Sequence, residues 1–222
     1  MTVPVLTIDG PSGSGKGTVS RAIAKQLNWH YLDSGSIYRS LAIAALQAGA
    51  DLENAAKICE IARNMRLEFD CGDVLTVRLN GIDISTLLAT EATGKAASII
   101  AAYPDVRQVL LQKQKDFQQL PGLVADGRDM GSVVFPDAEY KVYLTASSEE
   151  RALRRYKQLI EKGIDANIVQ ITREIEERDM RDSQRATAPL TVPEGAFFLD
   201  SSALSIQQVI AAVINFVRNK SD

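Results

Sequence analysis

Nine residues near the start of the chain, Gly10-Pro11-Ser12-Gly13-Ser14-Gly15-Lys16-Gly17-Thr18, have the types and spacing to hold a phosphate chain. Glycine adopts backbone conformations that other residues avoid, so such a segment can turn successive N–H groups toward one anion. Lys16 adds a mobile positive charge, and a helix beginning beside it would aim its positive end at the same point. The pattern is G-x-x-x-x-G-K, a phosphate-binding loop, and it predicts that residues Gly10 to Thr18 hold the phosphates of a nucleotide. It departs from the general form at one position: Gly17 follows the lysine, and the next hydroxyl comes at Thr18. Thr18, one position later than the hydroxyl of the general pattern, is the candidate magnesium contact, and its shifted place weakens that role.

Three further clusters could hold a second anion. Asp33-Ser34-Gly35-Ser36-Ile37-Tyr38-Arg39 puts Tyr38 and Arg39 just inside a helix, near its positive end. Taken alone, it reads as a helix cap with a surface arginine. Asp126-Gly127-Arg128-Asp129-Met130-Gly131 offers an arginine able to grip a phosphate through two bonds and an aspartate able to accept from an amino group or a hydroxyl. A turn with a local ion pair is the alternative. In the third cluster, Ile164, Ile168, Ile171 and Ile175 step along one apolar helix face, and the same stepping reaches Arg178, Asp182 and Arg185. A stripe that turns from apolar to charged suggests a helix leaving the core for a polar cleft. With Arg181, three arginines fall within eight residues, the composition of a lid that closes on phosphates, although a helix extending into water would look similar.

Elements that could position these clusters are legible around them. Val3 to Asp9 is short, apolar and β-branched, as a buried parallel strand should be. A helix follows the loop with Val19, Ala22, Ile23 and Leu27 on one face, and a second strand is expected over His30 to Leu32. A helix from Ser36 to about Ala48 is closed by Gly49. Strands at 123–125, 141–144 and 197–199, with helices at 148–162 and 205–218, restore the strand–helix alternation of a parallel sheet covered on both faces. Between them, Leu67-Glu68-Phe69, Val74 to Val77 and Ile82-Asp83-Ile84 are separated by Cys71-Gly72-Asp73 and Asn80-Gly81. The Asn-Gly pair is a strong hairpin signal, so a small antiparallel insert is expected here. Two helices follow, the second opened by Pro104.

The chain has 222 residues, 45% hydrophobic and 24% charged, with a net charge of −3. That length suits one domain with an insert, and that charge gives no bulk attraction for nucleic acid or an anionic membrane. No apolar run is long enough to span a bilayer, and the first residues lack the basic stretch and apolar core of an export signal, so a cytoplasmic location is expected. Cys59 and Cys71 match no metal or redox spacing, and His30 has no second histidine. The chain ends Asn219-Lys220-Ser221-Asp222, a match to the guanine-reading N-K-x-D of nucleotide-dependent switches. A guanine reader belongs in a loop after a strand, whereas these residues trail a terminal helix and read as a frayed tail.

The segments at 10–18, 33–39, A-D-G-R-D-M-G at 125–131 and E-R-D-M-R-D-S-Q-R-A-T-A-P-L at 177–190 closely resemble the bacterial cytidylate kinases, nearly end to end and with the β insert included. The ending G-K-G-T is itself characteristic of nucleoside monophosphate kinases. The resemblance implies one P-loop kinase domain over 1–222, a nucleotide-binding insert at about 64–90 and a short helical lid at about 163–190. It implies ATP with Mg²⁺ as donor and CMP or dCMP as acceptor, in a monomer that works on small nucleotides. By position, Tyr38, Arg39 and Arg128 would hold the acceptor phosphate, and Ser34, Ser98, Arg107 and Asp129 would read cytosine. Arg178 and Asp182 would contact the ribose, and Arg185 the phosphates. Lys16, Arg128, Arg178 and Arg185 are the expected catalytic charges. The residues leave open the preference among CMP, dCMP and UMP, as well as another small-molecule acceptor; a regulatory switch is the remaining alternative class.

Overall fold

The chain folds into short strands and helices, several of the helices begun on a side-chain cap. In chain order these are β1 (Val5–Asp9), α1 (Lys16–Leu27), β2 (His30–Asp33), α2 (Ser34–Gln47), α3 (Ala55–Asn64), β3 (Leu67–Cys71), β4 (Leu75–Leu79) and β5 (Ile82–Asp83). Then follow α4 (Ser85–Leu88), α5 (Glu91–Ile100), α6 (Pro104–Lys115), β6 (Leu123–Gly127), a π-helical turn Met130–Val134, β7 (Tyr140–Thr145), α7 (Ser148–Glu161), α8 (Ile168–Ser183), β8 (Phe197–Asp200) and α9 (Ile206–Ser221). The structure, a computed structural model, describes residues 3–71, 75–88, 90–161 and 163–221. The expected turn at Cys71-Gly72-Asp73 therefore falls largely outside the described residues, as do Val74, Lys162 and Asp222. The chain divides into two compact units, Met1–Leu32 with Gln118–Asp222, and Asp33–Phe117.

The first unit is built on a five-stranded sheet in the order β2-β6-β1-β7-β8. All five residues of β1 are buried, because it lies between two parallel neighbours: Ile8 sits opposite Asp126 of β6 and Val142 of β7, and Asp9 opposite Gly127 and Tyr143. β7 in turn pairs in parallel with β8. The functional segments at 10–18 and at 126–131 thus leave the same end of neighbouring strands, the edge at which open α/β sheets bind ligands. Helix α1 buries Val19 and Ile23 as its spacing predicts, while Ala22 and Leu27 are only half-buried.

The expected four-isoleucine stripe is only half present. α8 begins at Ile168, where the Asn167 side chain accepts from the N–H groups of Val169 and Gln170. Ile164 precedes the helix, and both it and Ile168 are exposed. Ile171 and Ile175 carry the packing, against Ala152 of α7, with Tyr156 and Leu159 closing over them. The C-terminal tail also differs from expectation: it stays helical, with Lys220 donating to the Glu139 carbonyl and lying over the Phe216 ring.

The second unit contains the antiparallel sheet β3-β4-β5, in which Glu68 faces Arg78 and Phe69 faces Val77. Asn80 and Gly81 join β4 to β5 with positive φ at both positions (51° and 84°), the conformation that the Asn-Gly signal predicts. Helices α2, α3 and α5 each begin on a side-chain cap, from Asp33, Asn54 and Thr90 in turn. Pro104 opens α6, as expected.

One glycine in the first unit is dictated by a neighbour. A Cβ added to Gly122 would lie 2.4 Å from the ring of Trp29, the chain's single tryptophan. Gly122→Ala should therefore force the indole out of place and cost about 1–3 kcal/mol of unfolding free energy. Urea denaturation followed by tryptophan emission reads both the lost stability and the shifted native spectrum.

Candidate active site

The phosphate loop follows directly from β1. A Cβ on Gly10 would lie 2.0 Å from the Leu144 carbonyl oxygen of β7, so nothing larger than glycine fits where the chain leaves the sheet. Gly15 caps α1 in the left-handed conformation (φ 91°) and makes no side-chain cap, and the first turn carries no acidic residue. The leading N–H groups of α1 are thus left for a ligand. Lys16 is buried, with Nζ donating to the Pro11 carbonyl at 2.7 Å and reaching Ser14 Oγ at 3.5 Å. Thr18, two residues into the helix, is exposed.

Two aspartates stand beneath the loop. Asp9, wholly buried, accepts from the Met130 and Gly131 N–H groups at 2.8 Å each. Burial nevertheless raises its carboxyl to about 6, against those two hydrogen bonds. Asp126 is buried at the adjacent strand end and accepts from the Tyr31 hydroxyl at 3.2 Å. A Cβ at Gly17 would lie 3.4 Å from Asp126 Oδ2, so a larger residue there would pack directly against that carboxylate.

On the same unit, Arg128, Arg178 and Arg185 converge on Asp182. Arg128 Nε bonds Asp182 Oδ2 at 3.0 Å, Arg178 Nε lies 3.9 Å from the same oxygen, and Arg185 Nε donates to the Asp182 carbonyl at 3.2 Å. Burial would raise the Asp182 carboxyl, but the three guanidinium groups outweigh it and hold the group below the usual carboxylate range. Asp129 is buried at the start of the π-helical turn, whereas Arg181 is exposed. Burial drives the Lys16 ammonium down to about 7, helped by the charge of Arg128 and then Arg178 and opposed by Asp126 and Asp9.

Spacing alone did not single out Arg151 and Arg154 of α7. Arg151, buried, donates to the Ser12 carbonyl at 2.8 Å and pairs with Asp179 of α8 at 2.6 Å. Arg154 donates to the Ser14 carbonyl at 3.3 Å and to the Ser201 carbonyl at 2.7 Å. In a planar trans peptide the C=O and the next N–H point in opposite directions. Tying those carbonyls to α7 therefore turns the Gly13 and Gly15 N–H groups the other way. The available signal was Arg151-Ala152-Leu153-Arg154-Arg155, a cluster of three arginines directly after the acidic first turn of α7 (Glu149, Glu150).

The second unit carries the remaining expected residues. Ser34, Tyr38 and Arg39 lie on the first turns of α2, Ser98 on α5 and Arg107 on α6. Ser34, Tyr38, Ser98 and Arg107 are buried, and Arg39 is half-buried, donating to the Leu88 carbonyl. The Arg107 guanidinium lies 5.5 Å from the centre of the Tyr38 ring and donates to the Ala101 carbonyl at 3.3 Å. Asp33, the expected helix cap, accepts from the Ser36 N–H and hydroxyl.

The loop fits a polyphosphate: open amides, a buried lysine and a helix end without its own anion. Among the described residues there is no group of three or more His, Cys, Asp or Glu that could hold a metal. No helix among the described residues is long and apolar enough to cross a membrane.

A family model described as cytidylate kinase matches residues 6–219. The chain is 52% identical over 218 residues to a cytidylate kinase of Methylococcus capsulatus, covering 98% of each chain. It is 51% identical to one of Aeromonas salmonicida, covering 98% of this chain and 95% of that one. Among solved structures, a gluconokinase from Sinorhizobium meliloti aligns with a TM-score of 0.51 at 14% identity, over 99% of this chain and 94% of that one, a likeness of fold.

The depressed Lys16 ammonium has a measurable consequence. Above pH 7 a growing fraction of the nucleotide-free protein has lost this proton, and a bound polyphosphate would restore it. ATP binding at pH 8 should then take up protons, and its Kd should rise by up to about tenfold per pH unit above 7. Titration calorimetry in two buffers of different ionisation heat reads the uptake directly. Equal heats in both buffers, or unchanged uptake in Lys16→Met, would contradict it.

Proposed function

The chain belongs to the cytidylate kinase family, and on that premise we propose that it phosphorylates CMP and dCMP with ATP by direct in-line transfer. The observation that carries this reading is the buried Lys16 at the open amide end of α1, beside the arginines gathered on Asp182. Phosphoryl transfer asks a protein chiefly to position two anions and to stabilise the charge that spreads over the moving phosphoryl group. The amides of residues 13–16 and the Lys16 ammonium hold the donor phosphates, and Arg128, Arg178 and Arg185 supply the remaining positive charge. Magnesium, carried on the ATP phosphates, supplies further charge neutralisation there. An oxygen of the CMP phosphate attacks the γ-phosphorus as the bond to the β-phosphate oxygen breaks. The acceptor is its own nucleophile, so the chain provides no covalent intermediate.

Roles on the acceptor follow the family pattern residue by residue. In the first unit Arg128 takes the acceptor phosphate, Asp129 reads cytosine, and Arg178 and Asp182 contact the ribose. In the second, Tyr38 and Arg39 take phosphate, and Ser34, Ser98 and Arg107 read cytosine. Support for the latter is that Arg107 and Tyr38 already touch and that Ser34 lies one turn before Tyr38 on α2. The segment about α8 serves as a lid bringing Arg178 and Arg185 to the phosphates. The protein is expected to act as a cytoplasmic monomer on free nucleotides.

A coupled assay of ADP release tests this with CMP, dCMP, UMP, AMP and GMP as acceptors. CMP and dCMP should support turnover well above the others, and no stimulation by either would remove the acceptor assignment. Lys16→Met should lower kcat by about a hundredfold or more. Its melting temperature should stay at or above that of the parent, because the substitution removes a buried charge from beside two arginines.

A further inference from the structure

We propose that Gln114 is a specificity-determining positioning residue: it fixes the Ser34 hydroxyl as a hydrogen-bond acceptor, which selects an exocyclic amino group over a carbonyl at that point of the pyrimidine ring. The inference rests on the reading of Ser34 as a base contact.

Gln114 lies in the last turn of α6 and is buried, with 1% of its surface exposed. Its Nε2 donates to the Leu110 carbonyl one turn back at 3.3 Å, and its Oε1 accepts from Ser34 Oγ at 2.6 Å. The first bond decides the direction of the second. A carbonyl can only accept, so the amide nitrogen must face Leu110 and the amide oxygen must face Ser34. The reversed amide would set two carbonyl oxygens against each other inside the unit. Ser34 has a single hydroxyl proton, and Gln114 takes it. What Ser34 offers elsewhere is lone pairs.

Cytosine presents an amino group at ring position 4, a donor, where uracil presents a carbonyl oxygen. A hydroxyl that can only accept pairs with the first and opposes the second. Were the hydroxyl free to turn, it could donate to uracil as readily as it accepts from cytosine. At this hydroxyl, the difference between the two bases therefore lies in the residue behind Ser34. Helix spacing supports the arrangement: Arg107 and Gln114 are seven residues apart on one face of α6, and Ser34 and Tyr38 are four apart on one face of α2. Two contacts join those faces, Arg107 on Tyr38 and Gln114 on Ser34. α6 thus holds Ser34 and Tyr38 of α2 in register.

The test is the ratio of kcat/KM for CMP to that for UMP. Gln114→Met removes the acceptor at similar volume, and the ratio should fall at least about tenfold, with UMP gaining as CMP loses. The KM for ATP should stay unchanged, which a general loss of structure would not allow. Gln114→Glu still accepts from Ser34 whether or not it is ionised, and should keep the parent ratio within about threefold. Gln114→Leu is the second acceptor-free variant should the methionine fail to fold. A parent-like ratio in either acceptor-free variant overturns the proposal, and so does a collapsed ratio in Gln114→Glu. A parent protein that does not prefer CMP to UMP overturns the reading of Ser34 and this inference together; a parent that prefers CMP, with variants that keep the preference, overturns only the role of Gln114.

Discussion

Lys16 is buried where the positive end of α1 and the Arg128 and Arg178 guanidinium groups all raise the local potential. A cation in such a place weakens the fold unless anions offset it. Some offset is present: Asp126 and Asp9 both favour the charged lysine, and the Pro11 carbonyl accepts from it. The offset is incomplete. Asp9 is already committed to two backbone N–H groups and is itself pushed toward its neutral form. Asp182 answers to three arginines. The excess of positive potential that is left is what a polyphosphate cancels, so the electrostatic cost of the ligand-free site is also the source of its affinity.

That balance depends on fixed geometry. Arg151 and Arg154 tie two loop carbonyls to α7, and Arg151 reaches onward to Asp179 of α8, the helix that bears Arg178 and Asp182. One guanidinium therefore touches both the glycine-rich loop and the helix that bears Arg178 and Asp182. A loop held only by its own glycines would spend much of its time in other conformations, and orienting it would cost free energy on every binding event. Close packing of Gly10 on the Leu144 carbonyl fixes the other end of the loop by steric contact alone.

Much of this architecture is legible in the residues themselves. β1 and β6 announce themselves as short, largely apolar runs because parallel strands covered on both faces have little polar side to show. The Asn80-Gly81 turn is legible because two consecutive positive φ angles are costly for almost any other pair. The isoleucine stripe misleads because periodicity records which residues could share a face, not where a helix starts. Asn167 caps α8 after Ile164, and that cap decides the register.

The site divides along a similar line. A phosphate loop is local: its amides, glycines and lysine are neighbours in sequence, so a short pattern carries the whole chemistry. The supporting groups are not local. Arg151 lies 139 residues from the carbonyl it holds, and Gln114 lies 80 residues from Ser34. No periodicity links such pairs, since each is set by the packing of elements that the chain joins by long detours. Charge recognition also tolerates imprecision, because a Coulomb attraction falls off slowly with distance and weakly with angle. A hydrogen bond that tells one base from another depends on the direction of its proton, and a buried partner with a fixed orientation holds that direction. Phosphate binding is therefore visible in a sequence as composition, whereas base selection is written in pairs of residues that come together only once the helices have packed.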